Sequence, residues 1–191
     1  PEALWRFALI ENTYLVFAPF ASNPKRSLPK KRWADILSVI LREYPELPVV
    51  LVGSPQERTE AEHIIFLLGN VRVFNTAGLS FPHIITLITQ AKLFLGVDSG
   101  LTHVAAVAHT PSVVVGNLSN PTWLPRYNPN AAILVERKQC LCTGDKGGGC
   151  EYVIDGQNYY RCMIDVRDAD IITALREKIE EKMAHDTDGL L

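Results

Sequence analysis

One stretch, Leu93 to Ala108 (LFLGVDSGLTHVAAVA), limits the possible folds more than any other part of the sequence. An apolar run is followed by a polar turn and then by a helical pattern of small and apolar residues. A buried parallel strand that leads directly into a helix exposes the unpaired N–H groups and the positive dipole end of the first helical turn above the sheet. The stretch therefore predicts an anion site at Ser99 and Gly100, with His103 one turn into the helix. The alternative is that Asp98 or Ser99 only caps the helix and that His103 packs inward.

Short apolar runs alternate with helical patterns along most of the chain. Strands are predicted at 14–18, 49–52, 71–74, 93–97, 112–115 and 131–135, and helices follow most of them, at about 29–44, 57–68, 80–90 and 101–108. This alternation predicts right-handed βαβ crossovers and an α/β fold with a Rossmann-like, doubly wound parallel sheet. Ligands of such sheets bind beyond the carboxyl ends of the strands.

Length and composition indicate a single domain. The chain has 191 residues, is 47% hydrophobic and carries a formal net charge of −2. These values allow one substantial core and give no basis for binding nucleic acid or an anionic membrane through net charge. We expect an α/β core over about 13–136, a Cys-rich loop over 137–165 and a C-terminal docking helix over 166–185.

Two features bear on the cellular location. Residues 1–12 have the pattern of an amphipathic helix, not of a secretory signal, and no apolar run reaches the roughly 18 residues of a membrane-spanning helix. The sequence also lacks an initiator Met. We therefore expect a piece of a cytoplasmic protein without a transmembrane segment.

A basic cluster follows the first predicted strand. Five of the eight residues from Lys25 to Arg32 are Lys or Arg. Such runs usually form a solvated face, and we expect this of most members of the cluster. Lys25 and Arg26, however, lie on the loop that opens over the sheet crevice, where an anionic ligand would need cations. The sequence leaves open which of the two faces the ligand.

The string D-S-G-x-x-H-x-A-A at Asp98–Ala106 resembles the signature of glycosyltransferase family 9, the ADP-heptose:lipopolysaccharide heptosyltransferases and their relatives. The resemblance runs from about Tyr14 to the C-terminus and corresponds to half of a typical member. Members resemble two Rossmann-type lobes that face each other across a cleft, the GT-B arrangement. The resemblance implies that this chain is the C-terminal lobe, which holds the nucleotide-sugar donor.

The resemblance also implies a set of donor-binding residues. Arg26 falls where the family usually has Lys, with Lys25 one place earlier, and Leu28 replaces a Trp. Glu57, in a G-x-x-x-E pattern after the second strand, would bind ribose or base hydroxyls, although an acid in the first turn of a helix is an equally simple interpretation. The implied donor-binding residues are Ser22, Lys25, Arg26, Glu57, Leu79, Ser80, Asp98, Ser99, Gly100 and His103.

The cysteines form a separate cluster. All four, Cys140, Cys142, Cys150 and Cys162, lie within one glycine-rich stretch. Cys162-Met163 matches the end of a late C-x-x-C…C…C-M pattern in the family, whereas the C-x-C spacing suits tetrahedral zinc less well than C-x-x-C. A structural zinc site is our hypothesis, and reduced thiols or disulfides are the alternatives. In each case the cysteines would hold a loop together and would not act as nucleophiles.

By resemblance, the function is donor binding in a glycosyltransferase. Such an enzyme would transfer a sugar, heptose from ADP-heptose, to lipopolysaccharide or to another glycan or protein acceptor, without a cofactor for the chemistry. Asp98 and His103 would lie on the donor side, and the general base would come from the N-terminal acceptor lobe, so this fragment alone should be inactive. The alternatives are a non-catalytic nucleotide- or sugar-binding module and a lobe of a sugar-nucleotide epimerase. A peripheral position at the inner membrane face would be compatible with the cytoplasmic location.

Overall fold

The computed structural model describes residues 9–69, 72–116, 132–135 and 151–188, of which 132–135 and 183–188 are described by their backbone alone. The amphipathic helix predicted for residues 1–12 lies mostly outside these ranges. Among the helices of the described residues, none is both long enough and apolar enough to cross a bilayer.

A six-stranded parallel sheet forms the centre of the molecule, in the order β3-β2-β1-β4-β5-β6. The strands are β1 (Leu15–Ala18), β2 (Val49–Leu51), β3 (Val73–Asn75), β4 (Leu93–Val97), β5 (Ser112–Val115) and β6 (Ala132–Val135). Strands β1, β2, β4 and β5 are buried along their whole length, which explains why they read as continuous apolar runs rather than as alternating patterns. The predicted α/β, doubly wound parallel fold is confirmed.

Helices cover both faces of the sheet. They are α1 (Lys30–Glu43), α2 (Arg58–Leu68), α3 (Phe81–Thr89), α4 (Gly100–Val107), α5 (Arg161–Ile164) and α6 (Asp168–Asp188). One core cluster joins α1, α2 and α6 to one face of the sheet, and a second joins α3 and α4 to the other. The alternation of side chains along β1 explains this division, because Phe17 belongs to the first cluster and Val16 to the second.

The prediction of an irregular Cys-rich loop over 137–165 is wrong for its second part. Strands β7 (Glu151–Ile154) and β8 (Gln157–Tyr160) form an antiparallel hairpin, and α5 follows directly. The connecting pair, Asp155-Gly156, has positive φ at both residues (49° and 76°), as a tight hairpin turn requires. A D-G pair between two runs of β-forming residues was therefore a usable sequence signal.

The strand order fixes where a ligand can bind. Chain connections run outward from β1 in one direction and from β4 in the other, so these two neighbouring strands mark the point where the order reverses. The loops that follow β1 and β4 leave the same edge of the sheet on either side of this point. A crevice at the carboxyl edge between them is the expected position for a ligand.

Candidate functional site

The turn after β4 is fixed by contacts within a few residues. Thr102 Oγ1 donates a hydrogen bond of 2.6 Å to the carbonyl oxygen of Val97, and the Thr102 N–H donates to the carbonyl oxygen of Ser99 at 3.2 Å. Ser99 occupies the N-cap position of α4, yet its side chain makes no capping hydrogen bond. Its Oγ is buried without a hydrogen-bond partner among the described residues. The interpretation of Ser99 as a simple helix cap is therefore wrong.

The space above Gly100 is open. A Cβ atom added to Gly100 would meet no heavy atom within 4 Å among the described residues, and Gly100 itself is exposed. The first turn of α4 thus presents backbone N–H groups and the positive end of the helix dipole to the crevice. An anionic group could approach the backbone closely at this point.

Asp98 lies at the bottom of the same crevice. It is only 6% exposed, and its Oδ2 is 4.0 Å from Nη1 of Arg26. Burial raises the pKa of Asp98 above its ordinary value, while the charges of Arg26 and His103 act in the opposite direction. The structure thus brings together three of the predicted site residues, one from the loop after β1 and two from the β4–α4 segment.

The loop after β1 is held by contacts with distant parts of the chain. It contains a 3₁₀ turn over Pro24–Arg26, in which Asn23 Oδ1 accepts a 3.1 Å hydrogen bond from the Lys25 N–H. Behind the turn, Ser27 Oγ donates to the carbonyl oxygen of Pro19 at 2.6 Å, and Trp33 Nε1 donates to Ser27 Oγ at 3.3 Å. The fully buried Trp33 of α1 thereby supports the loop from below.

Lys25 and Arg26 point to different partners. Whereas Arg26 faces Asp98, Lys25 Nζ lies 2.6 Å from Oε1 of Glu151 in the hairpin. Lys25 Nζ is also 5.9 Å from the ring centroid of Tyr160. Arg26 is thus the member of the pair that lies beside Asp98, and which of the two residues faces a ligand stays a prediction.

A cavity of about 280 Å³ opens at the carboxyl edge next to these loops. Among the residues that line it are four from the predicted site: Ser22, Glu57, Leu79 and Ser99. The sequence analysis missed most of the apolar wall, which is formed by Phe20, Val52, Phe81, Ile84 and Leu101. Phe81 is 57% exposed although it is large and apolar, and no periodicity argument assigns such a residue to a ligand cavity.

Glu57 has a structural role in addition to its place on the cavity wall. Its Oε2 accepts a 2.6 Å hydrogen bond from the Ser54 N–H in a reciprocal capping box that starts the 3₁₀ turn Pro55–Glu57 before α2. Gly53 packs closely against this carboxylate, since an added Cβ would lie 3.1 Å from Glu57 Oε2 and 3.0 Å from the Phe20 ring. The interpretation of Glu57 as an acid at a helix start therefore agrees with the structure, and its binding of ribose or base hydroxyls stays a prediction.

Ser80 is not among the residues that line this cavity. It precedes α3, it is exposed, and its Oγ lies 2.9 Å from Nδ1 of His83. Its neighbour Leu79 does line the cavity. Of these two implied donor-binding residues, Leu79 thus lines the cavity and Ser80 does not, and their roles in donor binding stay a prediction.

The zinc hypothesis stays a prediction. Cys140, Cys142 and Cys150 lie outside the described residues, and Cys162 is buried in α5 within the first core cluster. Elemental analysis of protein purified without added metal tests the hypothesis, with about one zinc ion per chain as the expected result. A stoichiometry near zero, with four thiols that titrate freely, would contradict it.

A comparison with known proteins matches a region that contains the Asp98–His103 motif. The family model "Glycosyltransferase family 9 (heptosyltransferase)" matches residues 3–149. The chain is 25% identical over 179 residues to lipopolysaccharide heptosyltransferase 2 of Salmonella typhimurium and 24% identical over 181 residues to that of Escherichia coli K12. These matches cover 90% and 91% of this chain but 48% and 49% of the relatives, so the chain spans about half their length.

Solved structures agree with this fold. E. coli ADP-heptose lps heptosyltransferase II matches with a TM-score of 0.74 at 22% identity, over 95% of this chain and 51% of that one. A glycosyl transferase family 9 protein from Veillonella parvula gives 0.72 at 18% identity, over 94% and 50%. UDP-GlcNAc 2-epimerase from Methanocaldococcus jannaschii gives 0.58 at 15% identity, over 93% and 42%. The family match extends over most of the chain and includes the Asp98–His103 motif, and the chain belongs to glycosyltransferase family 9.

Proposed function

We propose that this chain is the donor-binding lobe of a heptosyltransferase-like enzyme and that it binds a nucleoside diphosphate sugar at the carboxyl edge of its sheet. The proposal rests on one observation: three features lie near the point where the strand order reverses between β1 and β4. They are the open amino end of α4, the Arg26–Asp98 pair and the cavity of about 280 Å³. The solved structures of E. coli WaaC with ADP and with ADP-2-deoxy-2-fluoro heptose match this fold with TM-scores of 0.57 and 0.55. They support ADP-heptose as the donor.

Each part of the site would bind a different part of the donor. The diphosphate would accept hydrogen bonds from the first N–H groups of α4 and would face the Arg26 guanidinium, whose fork suits phosphate oxygens. Glu57 would bind ribose hydroxyls at the cavity wall, and the base would pack against Leu79 and its apolar neighbours. Because its carboxylate would repel phosphate, Asp98 would bind sugar hydroxyls or hold the loop, with His103 beside it.

The proposed reaction breaks the bond between the anomeric carbon and a diphosphate oxygen and forms a bond from that carbon to an acceptor hydroxyl oxygen. The diphosphate leaves with additional negative charge, which α4 and Arg26 would stabilise. The acceptor proton must pass to a general base. We propose that this base and the acceptor site lie in the other half of the enzyme, the N-terminal lobe. The expected acceptor is lipopolysaccharide or another glycan or protein. The expected location of the enzyme is the inner membrane face.

Titration calorimetry of the folded chain with ADP, UDP and GDP tests donor binding. Because the chain spans about half the length of its relatives, we expect a Kd for ADP in the micromolar to millimolar range, which corresponds to about 4–8 kcal/mol. No detectable binding of any of the three nucleotides at millimolar concentration, by a chain shown to be folded, would contradict the proposal.

Two further measurements test the proposal, one of sugar transfer and one of nucleotide preference. We expect the chain alone to transfer no sugar from ADP-heptose to a lipopolysaccharide-type acceptor, and efficient transfer would show that the base is not in the other half. The likeness to the M. jannaschii epimerase favours a second candidate, the lobe of a UDP-sugar epimerase. Tighter binding of UDP than of ADP would favour that candidate, and the reverse order would favour the heptosyltransferase.

A further inference from the structure

The β7–β8 hairpin lies against the 3₁₀ turn that carries Lys25 and Arg26. Glu151 and Tyr160 are directly opposite each other in the hairpin, so their side chains share one face of it. Both engage the turn on this face, although they are more than 120 positions away in sequence.

Three contacts connect the hairpin to the turn. Glu151 Oε1 is 2.6 Å from Lys25 Nζ, and the Tyr160 ring centroid is 5.9 Å from the same nitrogen. Asn23, the residue that caps the turn, donates from Nδ2 to the Tyr160 hydroxyl oxygen at 3.1 Å. The side chains of Lys25 and Glu151 are 35% and 28% exposed, so solvent screens this pair less than a fully exposed surface pair.

The turn is therefore held by the contacts of Asn23 and Lys25 with the hairpin, whereas Arg26 lies beside Asp98. A 3₁₀ turn of three residues is short and has poor hydrogen-bond geometry of its own, so external contacts strongly affect its conformation. The Lys25 side chain contacts the hairpin, and the side chain of the next residue, Arg26, lies beside Asp98 and is 13% exposed. Fixing the first side chain thus fixes the direction of the second.

We propose that Glu151 and Tyr160 are positioning residues for the diphosphate site, and that Lys25 acts as a strut between the hairpin and the turn instead of contacting phosphate. The inference rests on the proposed function, because it assigns to Arg26 the phosphate contact that the hairpin orients. It differs from the sequence-based expectation, in which Lys25 and Arg26 were both donor ligands.

The test compares the binding of ADP and of adenosine by calorimetry. In Glu151→Gln we expect about three- to tenfold weaker ADP binding, the loss that corresponds to one hydrogen bond of a network, with adenosine binding unchanged. Glu43→Gln is the matched control, since it removes another ion pair between distant segments, in which Arg176 Nε donates to Glu43 Oε2 at 2.8 Å. The control should leave the ratio of ADP to adenosine affinity unchanged. Equal ADP binding by Glu151→Gln and the wild type would overturn the inference.

Exchanging the charges of Lys25 and Glu151 distinguishes the two possible roles of Lys25, a structural strut or a phosphate ligand. The double variant Lys25→Glu with Glu151→Lys restores the ion pair with its charges reversed. If Lys25 is a strut, ADP affinity should return to within about threefold of the wild type, because the interaction between the two residues is what matters. If Lys25 contacts phosphate, the swap places a carboxylate beside it and ADP binding stays weak, which would overturn the inference. A wild type that binds no nucleotide would instead refute the proposed function, and this inference with it.

Discussion

The two loops on either side of the crevice are stabilised in different ways. The β4–α4 turn is held within a six-residue segment, by the hydrogen bonds from Thr102 to Val97 and Ser99. The turn after β1 depends on Trp33 below it and on a hairpin that lies far away in sequence. The backbone donors of the site therefore come from a locally determined element, while its cation comes from an element determined by tertiary contacts.

Because of this difference, substitutions near the two loops should affect ligand binding in different ways. Substitutions near the β4–α4 turn should change ligand binding directly, because the turn keeps its shape without help from distant residues. The loop after β1 depends on distant residues, so substitutions of those residues should change ligand binding even when they lie far from the crevice. The following four predictions test this distinction.

Trp33→Ala removes the support of the loop after β1 and should have the largest effect. Trp33 is fully buried, and its ring packs edge-on against Phe17 with the centroids 5.2 Å apart. We expect a loss of about 3–5 kcal/mol in the free energy of unfolding, measured by urea denaturation. Trp33→Phe, which keeps an aromatic ring but removes the donor to Ser27, should lose less. A loss below about 1 kcal/mol in Trp33→Ala would mean that the loop does not depend on this support.

Arg26→Gln removes the charge that the loop after β1 contributes. A hydrogen bond to a charged group is worth about 1.5–3 kcal/mol, so we expect ADP binding to weaken by about 10- to 100-fold. Arg42→Gln is the matched control, because Arg42 lies on an exposed face of α1 and donates to the Ser38 carbonyl oxygen. Unchanged ADP affinity in Arg26→Gln, measured by calorimetry, would exclude Arg26 as a phosphate ligand.

Gly100→Val obstructs the locally held side of the crevice. Since the space above Gly100 is open, the fold should tolerate the side chain with a change in unfolding free energy within about 0.5 kcal/mol. The side chain would nevertheless keep phosphate from the backbone N–H groups, and we expect about tenfold weaker ADP binding, or about 1.4 kcal/mol. His103→Ala should weaken binding less and leave the fold intact. If Gly100→Val bound ADP normally, the helix end would not be the anion site.

Asp98→Asn tests the electrostatics between the two loops through the pH dependence of stability. The pKa of Asp98 is raised in the folded chain, chiefly by burial, so the folded state binds its proton more tightly than the unfolded state does. Stability must then fall as pH rises from the unfolded pKa, about 3.9, to the higher folded pKa. We expect the wild type to lose stability relative to Asp98→Asn across this window, as measured by urea denaturation at a series of pH values. A wild type that gains stability relative to the variant as pH rises would show that the Arg26 charge outweighs burial.

The sequence predicted the locally determined parts of the molecule well. Strands β4 and β5 have the predicted bounds, and the turn at Asp98–Gly100 lies where the apolar run ends. These features follow from periodicity and from one polar turn, which neighbouring residues determine. The predicted strand at 71–74 is displaced, since β3 covers Val73–Asn75, and strand ends depend on pairing partners that a single sequence does not reveal.

The parts that sequence reasoning missed depend on contacts between distant segments. Nothing near Lys25 indicates that its amine binds Glu151, and the roles of Lys25 and Arg26 could not be separated without the hairpin. The hairpin itself was predictable from Asp155-Gly156, but its packing against residues 23–26 was not. The apolar cavity wall was missed because it combines residues from several loops that periodicity does not connect.

The Lys25–Glu151 contact also constrains the order in which this chain acquires its function during synthesis. The N-terminal part of a chain emerges from the ribosome first, and all residues of strands β1 to β5 are available once Val115 has emerged. Glu151 and Tyr160, which contact Lys25 and Asn23, emerge later. A nascent chain can therefore build most of its sheet while the turn at Arg26 still lacks its support from the hairpin, and the proposed donor binding should mature later than the core.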